Sequence, residues 1–346
     1  MNDLFDIYKD ISKNIKNKNQ LLEFEKTKLI NLNEIKKEIE TGNIKDIKYN
    51  IFYVKEPKIR IVMSSDIKEK IIDHYITKHI LQPKLTKYLQ EENFATRKYY
   101  GTNKALNKIH KDLEYFKKYN NFYFLKIDIK SYFYTIDHNV LKSLLKNYLT
   151  LFEFKLISKI IDATNQEYIN KQIKSLNIKE KDKKYYKKEK GLVLGAMSSQ
   201  FLAIFYLYKI HHYIKHDLKI LHFGIYMDDY YLIHQDKEYL KYTLNILELK
   251  LKEEYKLKLN NKKTMITNNK EGIIFLNYNF KVINKKTVIK FTNFKKIKLR
   301  KNTMKTIKEY KQNKIEFNIY LSKMCNYKYS HKFINKNKIN AIINIG

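Results

Sequence analysis

Residues 223–230 read Phe-Gly-Ile-Tyr-Met-Asp-Asp-Tyr, placing two adjacent carboxylates, Asp228 and Asp229, inside an apolar strand-turn-strand pattern. Neighbouring aspartates in such a run repel each other and lose hydration on burial, so a cation must compensate. Magnesium is the natural candidate, being hard and partial to oxygen ligands. Ile225 and Met227 alternate with Tyr226 before the pair, and Tyr230-Tyr231-Leu232-Ile233 follows it. That pattern predicts a tight turn between two β-runs, although an ordinary Asp-Asp hairpin fits the same string. A third carboxylate, Asp128, ends the strand-like run 122–128, Phe-Tyr-Phe-Leu-Lys-Ile-Asp. A carboxylate at the end of a buried strand is a site candidate in its own right.

The chain that must position these groups has 346 residues, 44% of them hydrophobic, enough for one large core or two to three smaller ones. Seventy basic residues against 36 acidic ones give a net charge of +34, which attracts polyanions, nucleic acid foremost. Lys, Asn, Ile and Tyr dominate while Gly, Pro and Trp are scarce, so an AT-rich genome accounts for some of that charge. The same bias makes disfavoured residues informative. Arg60, Arg97 and Arg300 are the only arginines, and five of the seven glycines (Gly101, Gly191, Gly195, Gly224 and Gly272) fall near the segments singled out here. The one cysteine, Cys325, excludes an internal disulfide and a thiolate zinc cluster. No apolar stretch is long enough to span a membrane, and the start lacks a signal pattern, so a soluble cytoplasmic protein is expected.

Residues 1–48 read as Lys-rich helix, and 50–63 as two strands joined by a turn at Glu56-Pro57. Helical spacing runs through 66–90, interrupted near Pro83, and a further helix is expected from Asn103 to about Lys118. The lysine-rich segment 165–190 reads as a surface excursion. A turn at Gly191–Ser199 precedes a buried helix from Gln200 to His216, and another helix is expected around 238–256. Leu259-Asn260-Asn261-Lys262-Lys263-Thr264 ends that unit, residues 272–280 read as a β-hairpin, and 285–346 as basic and mainly helical.

In this order the elements resemble reverse transcriptases of the compact bacterial retroelement type, over roughly residues 50–285. Asp128 with Phe133 resembles the family's first palm motif, Gly195–Gln200 its template-side loop, and Tyr226–Asp229 its catalytic hairpin. Leu259–Thr264 is similar to the lysine-bearing element that follows, and Phe275–Phe280 to the primer-grip hairpin. The resemblance implies an α+β right-hand polymerase with a helical N-terminal extension at 1–44, fingers at 45–120, palm at 121–280 and a helical thumb at 281–346. It implies RNA-templated DNA synthesis with two Mg2+ ions, for which Mn2+ can substitute, held by Asp128, Asp228, Asp229 and the Ile129 carbonyl. Lys263 would be the cation near the leaving pyrophosphate, or an exposed lysine without a role.

For the incoming nucleotide the resemblance implies Arg60 and Arg97, whose forked guanidinium suits phosphate, with ion-pair roles as the alternative. It adds Phe133 beneath the sugar, or as a core aromatic, and Gln200 facing the template, or as a helix-capping amide. Template and primer contacts would come from Gly195, Ser199, Tyr226, Met227, Phe275 and Leu276. Gly191 and Gly195 would let a loop approach the template where a Cβ would intrude. Ser199-Gln200 resembles diversity-generating retroelement enzymes, with defence-associated bacterial reverse transcriptases as near relatives. The implied partners are a structured non-coding RNA template, a DNA or RNA primer, deoxynucleotides and an accessory protein. A catalytically idle RNA-binding scaffold is the rival from another class. His211, His212 and Cys325 lack neighbouring motifs and carry no assignment.

Overall fold

A computed structural model describes residues 1–55, 58–329, 331, 334, 339, 340 and 342. The turn expected at Glu56-Pro57 lies outside the described residues, but its flanking strands β1 (Tyr49–Lys55) and β2 (Ile59–Ser65) pair antiparallel, Tyr49 opposite Ser65. The central sheet is antiparallel, built from β3 (Tyr123–Asp128), β4 (Phe223–Tyr226), β5 (Asp229–His234) and β6 (Met265–Asn268) in the order β4-β5-β3-β6. A third sheet, β7 (Ile273–Phe275), β8 (Tyr278–Ile283) and β9 (Lys286–Phe291), follows as a meander.

Strand periodicity explains how one sheet serves two cores. Leu125 and Ile127 of β3, with Tyr230 and Leu232 of β5, face the core that also holds the helix Met197–Tyr206. Phe122 just before β3, Phe124 on it, and Tyr231 and Ile233 of β5 face the other way, into a core with the helix Thr102–Phe116 and strands β7–β9. Alternate side chains point to opposite faces, so strands covered on both sides read as continuous apolar runs.

The helices Asn2–Ser12, Lys18–Lys26 and Lys28–Thr41 are not a separate layer. Leu4, Ile7, Leu32 and Ile35 enter the same core as Ile71 and Ile72 of the helix Ile67–Tyr75. Likewise, the helix Thr102–Phe116 packs with β7–β9 rather than with β1 and β2. The segment 165–190 is more than a surface excursion. Its helix Glu167–Ser175 buries Ile169 and Ile173, and Tyr186 is buried against Tyr134, ring centroids 4.9 Å apart. The helices Asn293–Lys311 and Phe317–Tyr329 follow β9. Among the described residues, no helix is long and apolar enough to cross a membrane.

Candidate active site

Tyr226 pairs with Asp229, which leaves Met227 and Asp228 as a two-residue turn between β4 and β5. Met227 has φ +59° and Asp228 does not share the positive sign, the type II′ pattern that usually calls for glycine at the first position. A side chain held there stores about 1–3 kcal/mol, tolerated where the surroundings over-determine the turn. They do so here. A Cβ on Gly224 would lie 2.4 Å from the Tyr231 ring, so its absence lets that ring pack across the strand pair. The Tyr231 hydroxyl donates to Asp112 Oδ2 at 2.9 Å, and Asp112 also accepts from Lys108 at 2.6 Å and faces His222 Nδ1 at 2.8 Å.

On β3, Asp128 stands opposite Asp229. Asn260 Nδ2 donates to Asp128 Oδ1 at 2.8 Å, and Lys263 donates to Asp128 Oδ2. The adjoining bridge uses the Asp128 carbonyl and the Lys130 amide, leaving the Ile129 carbonyl outside that ladder. Lys126 Nζ lies 3.3 Å from Asp229 Oδ1 and also donates to the Ile274 carbonyl. It is near enough to Asp229 for an ion pair but off the hydrogen-bonding direction, so that buried oxygen has no hydrogen-bond partner.

Burial raises the Asp228 carboxyl above its ordinary value, and Asp128 adds to this while Lys263 and Arg60 oppose it. Burial pushes Asp229 up to about 6, opposed chiefly by Lys126. Desolvated negative charge and an all-oxygen donor set fit a hard divalent cation. Among the described residues, no three His, Cys, Asp or Glu side chains converge on one ion position. Magnesium commonly takes one or two carboxylates and completes its shell with water and substrate phosphate.

The hairpin divides two clefts. On one side, a cleft of about 490 Å3 brings Asp228 together with Arg60, Phe133, Gln200, Tyr226 and Met227, and Gly195 borders it too. On the other, a cleft of about 620 Å3 joins Asp128 and Asp229 to Lys126, Lys263 and Leu276. Leu276, with φ +49°, and Asn277, with φ +65°, form the tight turn between β7 and β8.

Four expected contacts are not placed as anticipated. Arg97 lines neither cleft: Nη1 donates to the carbonyls of Gln90 at 2.7 Å and Asn93 at 3.2 Å, and the guanidinium lies 3.9 Å from the Tyr100 ring centre. It braces the loop at 92–94 that lies beside β4. Ser199 is buried and lines neither cleft. The Phe275 ring is buried against Tyr231, centroids 5.0 Å apart, so its side chain supports β5 from behind. Gly195 is needed for a different neighbour than a template strand. With φ +134°, a Cβ there would lie 2.4 Å from the Met63 carbonyl, where the loop meets β2. Gln200, in the first turn of its helix rather than at the cap, borders the Asp228 cleft.

Lys126, Asn260, Asp112 and Asp73 were not singled out from sequence. Lys126 carried a signal, as the only charged residue before Asp128 in an otherwise apolar strand. Asp73 carried none, yet it accepts hydrogen bonds from the Met197 amide at 2.8 Å, the Ser198 amide at 3.4 Å and the Ser198 hydroxyl. It thereby caps the N-terminus of the helix that bears Gln200.

A strained hairpin thus presents two carboxylates opposite a third at a strand end, with basic residues in both adjoining clefts. Residues 7–317 match the family described as reverse transcriptase (RNA-dependent DNA polymerase), and the chain belongs to that family. No curated protein sequence matches it. Among solved structures it is similar to telomerase from Candida albicans in complex with a TWJ fragment of telomeric RNA, at 15% identity, over 72% of this chain and 45% of that one, with a TM-score of 0.50. Apo telomerase from Candida tropicalis, truncated from its C-terminal domain, matches at 14% identity over 71% of this chain and 55% of that one, with a TM-score of 0.49. The chain thus spans about half the length of these telomerases, and the likeness concerns the fold alone.

Proposed function

We propose that this protein synthesises DNA on a dedicated RNA template, using fingers at 45–120, a palm at 121–280 and a thumb at 281–346. The observation that carries the reading is the shared cleft of Asp228, Arg60, Phe133 and Gln200, with Asp128, Asp229 and Lys263 opening on the other side of one hairpin. Two Mg2+ ions, or Mn2+ in their place, would be held by Asp128 and Asp228 with help from Asp229 and the Ile129 carbonyl. When bound they would lower the charge on the triphosphate and acidify the attacking 3′-hydroxyl. The protein's own contribution is positional. Arg60 holds phosphate, Phe133 sits under the sugar, and Lys263 can pass from Asp128 to the departing pyrophosphate. Primer would enter beside Leu276, and the cationic surface would hold the nucleic acid backbone.

Gln200 beside Asp228 supports the finer reading of a diversity-generating retroelement, because its amide can face the base pair being formed. The host setting would be cytoplasmic, with a structured non-coding RNA and an accessory protein. Purified protein should extend a primer on its co-purifying RNA in magnesium, and no incorporation on any primed RNA by folded protein would sink the polymerase reading. Sequencing the DNA made in the host tests the finer reading. Changes confined to template adenines support diversification, whereas repetitive or random products point to phage defence.

A further inference from the structure

Two of the three carboxylates, Asp128 and Asp229, are each paired with an ammonium: Lys263 holds Asp128, and Lys126 lies 3.3 Å from Asp229 Oδ1. The two lysines differ in the room they have to leave. The Lys263 side chain keeps 46% of its surface exposed and can swing into solvent, whereas that of Lys126 keeps 15%. Lys126 rises from the middle of the central sheet, across from Tyr231 on β5 and Met265 on β6. Asp229 is its diagonal neighbour, within reach of a long side chain. The Lys126 hydrogen bond goes to the Ile274 carbonyl, on the edge strand β7. Ile274 stands two residues before Leu276, where the β7–β8 turn borders the cleft that Asp128 and Asp229 share. One enclosed ammonium therefore joins a carboxylate of the hairpin to the backbone of the β7–β8 unit.

We infer that Lys126 is a positioning residue with two stations, Asp229 in the ion-free protein and the Ile274 carbonyl once a divalent ion is bound. The inference rests on the ion assignment proposed above. In the ion-free protein the ammonium offsets the repulsion between Asp128 and Asp229, which face each other across β3 and β5. Beside a dication the same ammonium is repelled, and in a site shielded from water that repulsion is weakly screened. Lys126 cannot withdraw into bulk water, because its stem is enclosed. It keeps the charge-assisted hydrogen bond to Ile274, so its hold passes from the carboxylate to β7 and thereby to the turn at Leu276. Ion binding and the seating of a primer end beside Leu276 are coupled in this way. Linkage makes the coupling reciprocal, so a seated primer end strengthens ion binding.

The test uses the full chain, a primer annealed to an RNA template, Mn2+ as the probe ion and no nucleotide, so that no incorporation takes place. Electron paramagnetic resonance of free Mn2+ gives the ion affinity. Anisotropy of a labelled primer, with and without Mn2+ at constant ionic strength, gives the primer-template affinity. Lys126→Met keeps the stem and removes the charge, so it should bind Mn2+ about ten-fold more tightly than wild type, the competing cation being gone. The gain in primer-template affinity that Mn2+ brings should be about five-fold smaller in Lys126→Met than in wild type. Lys126→Arg, which restores the charge, should return the Mn2+ affinity toward wild type. Thermal melts in a chelator accompany each variant. Where Lys126→Met does not fold, Lys126→Gln, neutral but still able to donate to a carbonyl, makes the same ion comparison. Mn2+ affinity that is unchanged or weaker in the neutral variants overturns the inference, because losing a merely structural lysine would loosen the site. An Mn2+-dependent gain of equal size in wild type and Lys126→Met overturns it as well. Wild-type protein that binds Mn2+ with no change in primer-template affinity sinks the coupling alone, whereas wild-type protein that binds no Mn2+ removes the ion assignment with it.

Discussion

Asp73 is a buried carboxylate with no cation beside it among the described residues, and replacing it separates its charge from its hydrogen bonds. Its oxygens satisfy the amides of Met197 and Ser198 and the Ser198 hydroxyl. Asp73→Ala leaves two buried helix-end amides without acceptors, at about 1–3 kcal/mol each, while the hydroxyl can turn elsewhere; the expected loss is about 3 kcal/mol. Asp73→Asn retains one acceptor and removes the charge, so it should cost far less. Burial raises the Asp73 carboxyl above its ordinary value, with the Ser198 and Met197 hydrogen bonds opposing. A carboxyl raised on folding favours the native state fully below its unfolded pKa, and that contribution is lost as pH climbs through the raised native value. Asparagine does not titrate, so the stability of Asp73→Asn relative to wild type should improve from about pH 4, near the unfolded carboxyl's value, to about pH 8. Urea melts followed by circular dichroism at both pH values measure this. If Asp73→Asn instead falls further behind wild type at the higher pH, the ionised carboxylate is the stabilised form and the burial argument fails. Equal stability for Asp73→Ala and wild type would show that the amides find other acceptors.

Asp228→Asn should abolish nucleotide incorporation while RNA affinity stays within a few-fold, because it removes a metal ligand and leaves the basic clefts intact; near-normal turnover refutes the ligand assignment. Phe133→Val should raise ribonucleotide use relative to deoxyribonucleotide use by about ten-fold or more, in line with roughly 1–3 kcal/mol for steric discrimination. An unchanged ratio with a collapsed melting temperature makes that ring structural. Gly195→Ala should destabilise by about 2 kcal/mol or more, since its Cβ would meet the Met63 carbonyl at φ +134°; an unshifted urea midpoint would show that the loop moves freely away from β2. RNA binding should weaken steeply with salt, and a shallow slope would assign the +34 to genome composition.

The sequence alone was enough for the elements that carry their own local pattern. Alternation around Asp228 and Asp229 marked a hairpin, Asp128 closed an apolar strand, and the order of five short motifs indicated the family. These signals are local because a strand's two-residue period and a tight turn's geometry are written in consecutive side chains. Arginine scarcity, by contrast, drew attention to Arg60 and Arg97 alike, and only tertiary packing separated them. Arg60 borders the Asp228 cleft, whereas Arg97 braces a loop through two carbonyls. The same holds for Gly195, whose missing Cβ accommodates the Met63 carbonyl from a strand some 130 residues earlier, and for Phe275, whose ring supports Tyr231. Asp73 and Lys126 acquire their roles from Ser198 and Asp229, partners far along the chain. Which side chain fills, braces or lines a cleft depends on what the fold brings against it, and that information lies in the packing of distant segments rather than in any local run of residues.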